Sequence, residues 1–160
     1  MTTSPPAGET EQVSQPARDE SFGAGMAFGF LRTPVEPGAT PAPRDLAQVG
    51  EVRRICDAKL RGWGLPQHCI DPALLLLTEL VTNAIWHGSG HTIGVRLSCT
   101  ASEVRIQAWG GPVSALTARA PGSLDEHGRG LLLVDTIADA WGVNDAGWVW
   151  CSIMINSAVN

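Results

Sequence analysis

One segment limits the possible folds more than any other. Between Asp71-Pro72 and Gly88, the residues Leu76, Leu77, Leu80, Val81 and Ala84 recur at the spacing of a single helix face. Asp71 reads as an N-cap and Pro72 as the first helical residue, where its missing N–H is no loss. A helix with so wide an apolar stripe must bury it against a second layer. Glu79, Asn83 and His87 are spaced four apart and lie in one row beside that stripe. A polar row at the margin of a core belongs on a groove wall.

The flanking pattern supplies the second layer. From Arg44 to Leu60, the residues Leu46, Val49, Val52, Ile55, Cys56 and Leu60 follow helical spacing, and Gly62 and Gly64 end the run. His91 to Cys99 and Glu103 to Trp109 alternate apolar and polar residues, as half-buried strands do, and Thr100-Ala101-Ser102 is short enough to join them as a hairpin. Met26 to Leu31 reads as a short edge strand, and the four prolines between Thr33 and Pro43 mark a loop. The Gly-, Pro-, Ser- and Ala-rich stretch from Gly110 to Gly128 is long enough for a functional lid. A third helix begins near Gly130, with Leu131, Val134, Ile137, Ala138 and Trp141 on one face. Strands around Trp141 to Val143 and Trp148 to Ile155 follow, separated by the turn Asn144-Asp145-Ala146-Gly147. Hairpins in place of a strictly alternating strand-helix rhythm predict an α+β sandwich, a mixed, mainly antiparallel sheet covered on one face by about three helices.

Residues 1–25 are rich in Pro, Ser, Thr, Glu and Gln and nearly free of large apolar side chains, a composition that predicts a disordered tail ahead of one domain at 26–156. The formal charge of −5 carries no electrostatic footprint for nucleic acid. The N-terminus lacks the basic start and apolar run of a secretory signal, and the uninterrupted apolar stretch Ala73 to Leu77 is too short to cross a bilayer. A cytoplasmic protein with no membrane partner is expected. Cys56, Cys69, Cys99 and Cys151 show no close paired spacing and read as reduced thiols.

Two motifs carry chemistry. A carboxylate and an amide oxygen on a groove wall suit magnesium, which takes oxygen ligands and keeps several of its waters and substrate phosphates. His87 near the helix end also fits a plain dipole interaction. In His127-Gly128-Arg129-Gly130-Leu131 the glycines stand where a long loop enters a helix, and free N–H groups at a helix start bind phosphate.

In combination, these motifs resemble a known family. Glu79 to Gly88 looks like the N-box of the GHKL (Bergerat-fold) ATPase superfamily, and Gly128 to Val134 resembles its second glycine box. Ala138 to Val143, the closing Val149-Trp150 and the helix end Arg61-Gly62-Trp63-Gly64-Leu65 are similar to the actinobacterial anti-sigma-factor serine kinases. The resemblance covers roughly residues 40–155 and implies a Bergerat-type two-layer sandwich holding ATP beneath a long lid. It implies that Asn83 holds Mg2+ between the phosphates and that Glu79 serves as the general base. His87 and Gly88 would shape the end of the N-box, while Gly128, Arg129, Gly130 and Leu131 would close over the phosphates.

The first glycine box departs from the pattern. Family members end the second hairpin strand with an aspartate facing the adenine amino group, whereas Ala108-Trp109-Gly110-Gly111-Pro112 has no carboxylate. Gly110 or Trp109 is read as the equivalent position, so Gly110→Asp is expected to tighten ATP binding. Trp109 is read as core rather than as a base-stacking residue. By resemblance the protein phosphorylates a serine of an anti-sigma-factor antagonist and binds a sigma factor, and a homodimer is among the expected assemblies. The alternative is a non-catalytic partner-binding module with a degenerate nucleotide site.

Overall fold

The computed structural model describes residues 23–111 and 129–155. Among them are β1 (Ala24–Leu31), α1 (Pro43–Gly62), α2 (Gln67–His87), β2 (Thr92–Cys99), β3 (Glu103–Trp109), α3 (Arg129–Ile137), β4 (Ala140–Val143) and β5 (Val149–Met154). The strands form one sheet in the order β1-β2-β3-β5-β4, and every pairing is antiparallel. The expected α+β sandwich is therefore present, with a sheet that is antiparallel throughout the described residues rather than mixed. The expected tail as far as residue 22 and the expected lid over 112–128 lie outside the described residues.

The sheet register explains the core. Met26, Leu97, Ile106, Cys151 and Trp141 align in one row across the five strands. That row and its neighbours face the helices, where Leu76, Leu77, Leu80, Val81 and Ile85 of α2 are each at most 1% exposed. Burying one such side chain contributes about 1.5–3 kcal/mol, so the α2 stripe is a principal source of stability. α1 and α3 pack on either side of α2, and Val52, Cys56, Leu60 and Val134 join the same cluster. By length and mean hydropathy (1.3) α2 could cross a bilayer, yet its apolar stripe lies inside the protein. The four cysteines are free; burial pushes the Cys56 and Cys151 thiols up to about 12, which makes them inert.

Several boundaries differ from expectation: α3 ends at Ile137, so Ala138 and Trp141, expected on its apolar face, lie beyond it, Trp141 within β4. α2 begins at Gln67, ahead of Asp71-Pro72, because Cys69 and Ile70 are buried and Pro66 O accepts from both of their amides. Pro72 thus stands inside the helix, past the four N-terminal amides that lack intrahelical acceptors, and leaves His68 O without its usual donor. Asp71 is no cap; it accepts from Gln67 Nε2 at 2.8 Å. β1 starts at Ala24, two residues before the expected strand, and it occupies the sheet edge as expected.

Candidate functional site

α2 carries Glu79, Asn83 and His87 along one side, as the spacing requires. Asn83 is 5% exposed, and its Oδ1 is buried without a hydrogen-bond partner. A buried amide oxygen left unpaired costs about 1–3 kcal/mol, so such an atom calls for a function. Glu79, one turn earlier, is half-buried, and desolvation raises its carboxyl above the usual carboxylate range. The row therefore presents an unsatisfied oxygen beside a carboxyl with strengthened basicity.

The C-terminal end of α2 is held by close backbone packing. Gly88 N donates to Ala84 O, and Gly90 N donates to Gly110 O at 2.7 Å. A Cβ on Gly88 would lie 2.3 Å from Gly110 O, and one on Gly110 would lie 2.8 Å from Ala84 O. Gly111, at φ +136°, packs against the amides of Ser89 and Gly90. Glycine at 88, 110 and 111 thus lets the end of the N-box helix touch the end of β3 directly.

Arg32, just beyond β1, fastens the same corner. Its guanidinium is 5% exposed and donates to Gly90 O at 2.7 Å, Ile85 O at 2.8 Å and Gly88 O at 2.7 Å, with a longer contact to Ala84 O at 3.5 Å. Ile85 O and Gly88 O belong to the carbonyls that a helix end leaves without intrahelical partners, and a cation there also meets the negative pole of the helix. Burial lowers the Arg32 pKa, while Asp45, itself buried, opposes the shift and accepts from Thr33 N at 3.0 Å. Sequence reasoning missed both residues. A lone arginine ahead of a proline-rich loop and an acid in a first helical turn look like surface charges, and only the long-range packing buries them.

The structure places the expected residues unevenly. His87 and Gly88 line a cleft of about 510 Å³ with Glu36, Pro37 and Gly38, and neither Glu79 nor Asn83 reaches it. Arg129 and Gly130 begin α3, which packs along α2, but the side chains of Arg129 and Leu131 and the whole of Gly128 lie outside the described residues. The end of β3, where the resemblance implies a carboxylate, carries none. Along β3, Val104, Ile106 and Ala108 face the helices and Trp109 turns away. Trp109 is 3% exposed, lies 6.5 Å from the Trp148 ring and donates from Nε1 to Ala146 O at 2.8 Å, so it is a packed residue. Gly110 points its missing Cβ into the backbone of α2. Ala108, the last β3 residue whose side chain is directed at the helix layer, carries a methyl group, and neither Trp109 nor Gly110 supplies a carboxylate.

The residues fit the group that the N-box implies. Asn83 Oδ1 is an unpaired buried oxygen of the type a magnesium ion takes, and a metal that keeps waters and phosphates needs few protein ligands. Among the described residues no three His, Cys, Asp or Glu side chains come together as a self-sufficient metal cage. A search of curated proteins found no match to the chain. A family model described as Histidine kinase-like ATPase domain matches residues 42–150, from the start of α1 into β5. That span takes in the α2 row, the β2-β3 hairpin with its glycine corner, and α3, and so the chain belongs to the histidine kinase-like ATPase domain family, an ATP-binding fold of the GHKL type.

Proposed function

We propose that the protein is a serine kinase of the anti-sigma-factor type, which passes the γ-phosphoryl group of ATP to a serine of an antagonist protein and binds a sigma factor in the cytoplasm. The supporting observation is the pairing on one side of α2 of Asn83, with its unpaired buried oxygen, and Glu79, with its raised carboxyl pKa. Asn83 would hold Mg2+ through Oδ1, and the ion would neutralise phosphate charge. Glu79 accepts the proton of the serine hydroxyl as its oxygen bonds to phosphorus and ADP leaves. A base whose pKa is lifted toward the working pH is better matched to that task.

One observation favours a second reading, a partner-binding module with weak nucleotide affinity: the end of β3, Ala108-Trp109-Gly110, carries no carboxylate where relatives are expected to offer one. A charge-assisted hydrogen bond contributes about 1.5–3 kcal/mol, and each 1.4 kcal/mol or so is tenfold in affinity. Calorimetric titration with Mg-ATP and transfer of labelled phosphate to a candidate antagonist separate the readings. Asn83→Ala should abolish the dependence of ATP affinity on magnesium with helical content unchanged, and Glu79→Gln should keep ATP affinity but cut transfer roughly a hundredfold. Magnesium-independent binding by the native protein would remove Asn83 from this role, and equal transfer rates would remove Glu79.

A further inference from the structure

The face of the sheet turned away from the helices carries a pattern that the nucleotide site does not use. Its rows follow from the register: Ala27, Arg96, Gln107, Trp150 and Gly142 align across the strands, and beside them Gly25, Ser98, Arg105, Ser152 and Ala140. The β1 positions on this face below Leu31 are Gly25, Ala27 and Gly29, so the edge strand raises no wall there. A trough of about 500 Å³ results, bordered by Arg96, Ser98, Arg105 and Gln107 and floored by Gly25 and Ala27. Both guanidinium groups are held in place. Arg96 Cζ stands 4.6 Å from the Trp148 ring centroid and Arg105 Cζ 4.4 Å from that of Trp150. Stacking fixes the plane of each guanidinium while leaving its N–H edge free to meet a carboxylate.

These two arginines stand diagonally next to each other in a chain whose net charge is −5. The ion pair found at this site is Arg105 with Glu103 at 3.8 Å, a distance too long for a hydrogen bond, and Arg105 Nε has no hydrogen-bond partner. Like charges set side by side are unfavourable without an anion between or above them. We propose that this sheet face is a docking surface for an acidic segment of a partner protein, whose carboxylates engage the Arg96 and Arg105 forks while Gln107 and Ser98 donate from the rim of the trough.

The chemistry of the face argues against two other occupants. A second copy related by a two-fold axis would bring the arginine pairs of both copies together, which like-charge repulsion opposes. Single-stranded nucleic acid binds such sheets by stacking bases on open aromatic rings. Here Trp148 is 2% exposed beneath Arg96, and the Trp150 ring is covered by Arg105.

The test uses the full-length protein and a fluorescein-labelled oligoglutamate peptide, followed by fluorescence anisotropy at low and moderate salt. Saturable binding that weakens with salt is expected, reduced roughly tenfold or more when Arg96→Gln and Arg105→Gln are combined. Arg96→Lys with Arg105→Lys keeps the charges but loses the forks and should fall between, a result that stands even if the glutamine pair melts too low to assay. Mg-ATP titration of the same variants should match the native protein, because the face lies across the sheet from α2. The proposal is overturned if oligoglutamate does not bind the native protein, if it binds native and glutamine variants equally, or if a labelled RNA of equal length binds more tightly. It is overturned equally if sedimentation shows a dimer that the double substitution dissolves.

Discussion

Glu79 lies one turn before Asn83 on α2, and its environment ties its protonation to the stability of the fold. Desolvation raises its carboxyl pKa in the folded state. A group whose folded pKa exceeds its unfolded value binds more protons when folded, so stability declines as pH rises through the unfolded value near about 4.3, and the penalty is complete above the folded value. Glu79→Gln removes the ionisable group and that penalty with it. The variant should therefore melt higher than the native protein at about pH 7–8, and the difference should close as the pH falls toward about 4. Thermal melts across this range decide it; a gap that widens on acidification would mean that the carboxylate is stabilised in the fold. A residue that is better for stability when uncharged yet ionisable at the working pH follows the pattern of a group kept for chemistry. The row of Glu79, Asn83 and His87 was legible from spacing alone, because helical geometry is local. Its electrostatics was not, because the desolvation follows from burial, which only the packed fold decides.

At the scale of elements, the junction between the end of α2 and the end of β3 depends on the absence of side chains. The sequence reading assigned Gly110 to an adenine-facing acceptor position and expected Gly110→Asp to tighten ATP binding. In the structure a Cβ there meets Ala84 O at 2.8 Å and Ala84 Cβ at 3.1 Å, both on a packed helix that cannot retreat without moving the N-box. Gly110→Asp should instead destabilise the protein by about 1–3 kcal/mol, as overpacking does, and weaken ATP binding. Gly110→Ala should cost nearly as much, since the Cβ is the offending atom. Urea unfolding of both variants, with ATP titration of whichever stays folded, checks this. An intact Gly110→Asp variant with tighter ATP binding would restore the sequence reading. The tight packing at Gly110 is invisible in the sequence because a strand-end motif fixes order along the chain, whereas the face each residue takes depends on the pleat and on what the helix layer leaves open.

Across the whole molecule, Arg32 ties the sheet edge to α2, and Asp45 brings α1 into the same corner. Arg32→Ala would leave the carbonyls of Ile85, Gly88 and Gly90 without this donor, at a cost of about 2–4 kcal/mol. Arg32→Lys should recover less than half of it, because one ammonium cannot reach carbonyls spread around a planar fork. Chemical denaturation of both variants measures this, and a loss below about 0.5 kcal/mol would show that water replaces the guanidinium. By itself the sequence determined the helices, the hairpin, the polar row on α2 and the glycine-bearing entry to α3. Each is written in local periodicity, in turn chemistry or in glycine's freedom to let backbone approach backbone. The tertiary structure alone decided that α2 begins before Pro72, that Arg32 is buried against the end of α2, that Gly110 packs against Ala84, and that Arg96 and Arg105 lie over Trp148, just before β5, and Trp150, within it. These features arise from contacts between residues far apart in the chain, where burial and strand register, rather than local propensity, set the lowest free energy.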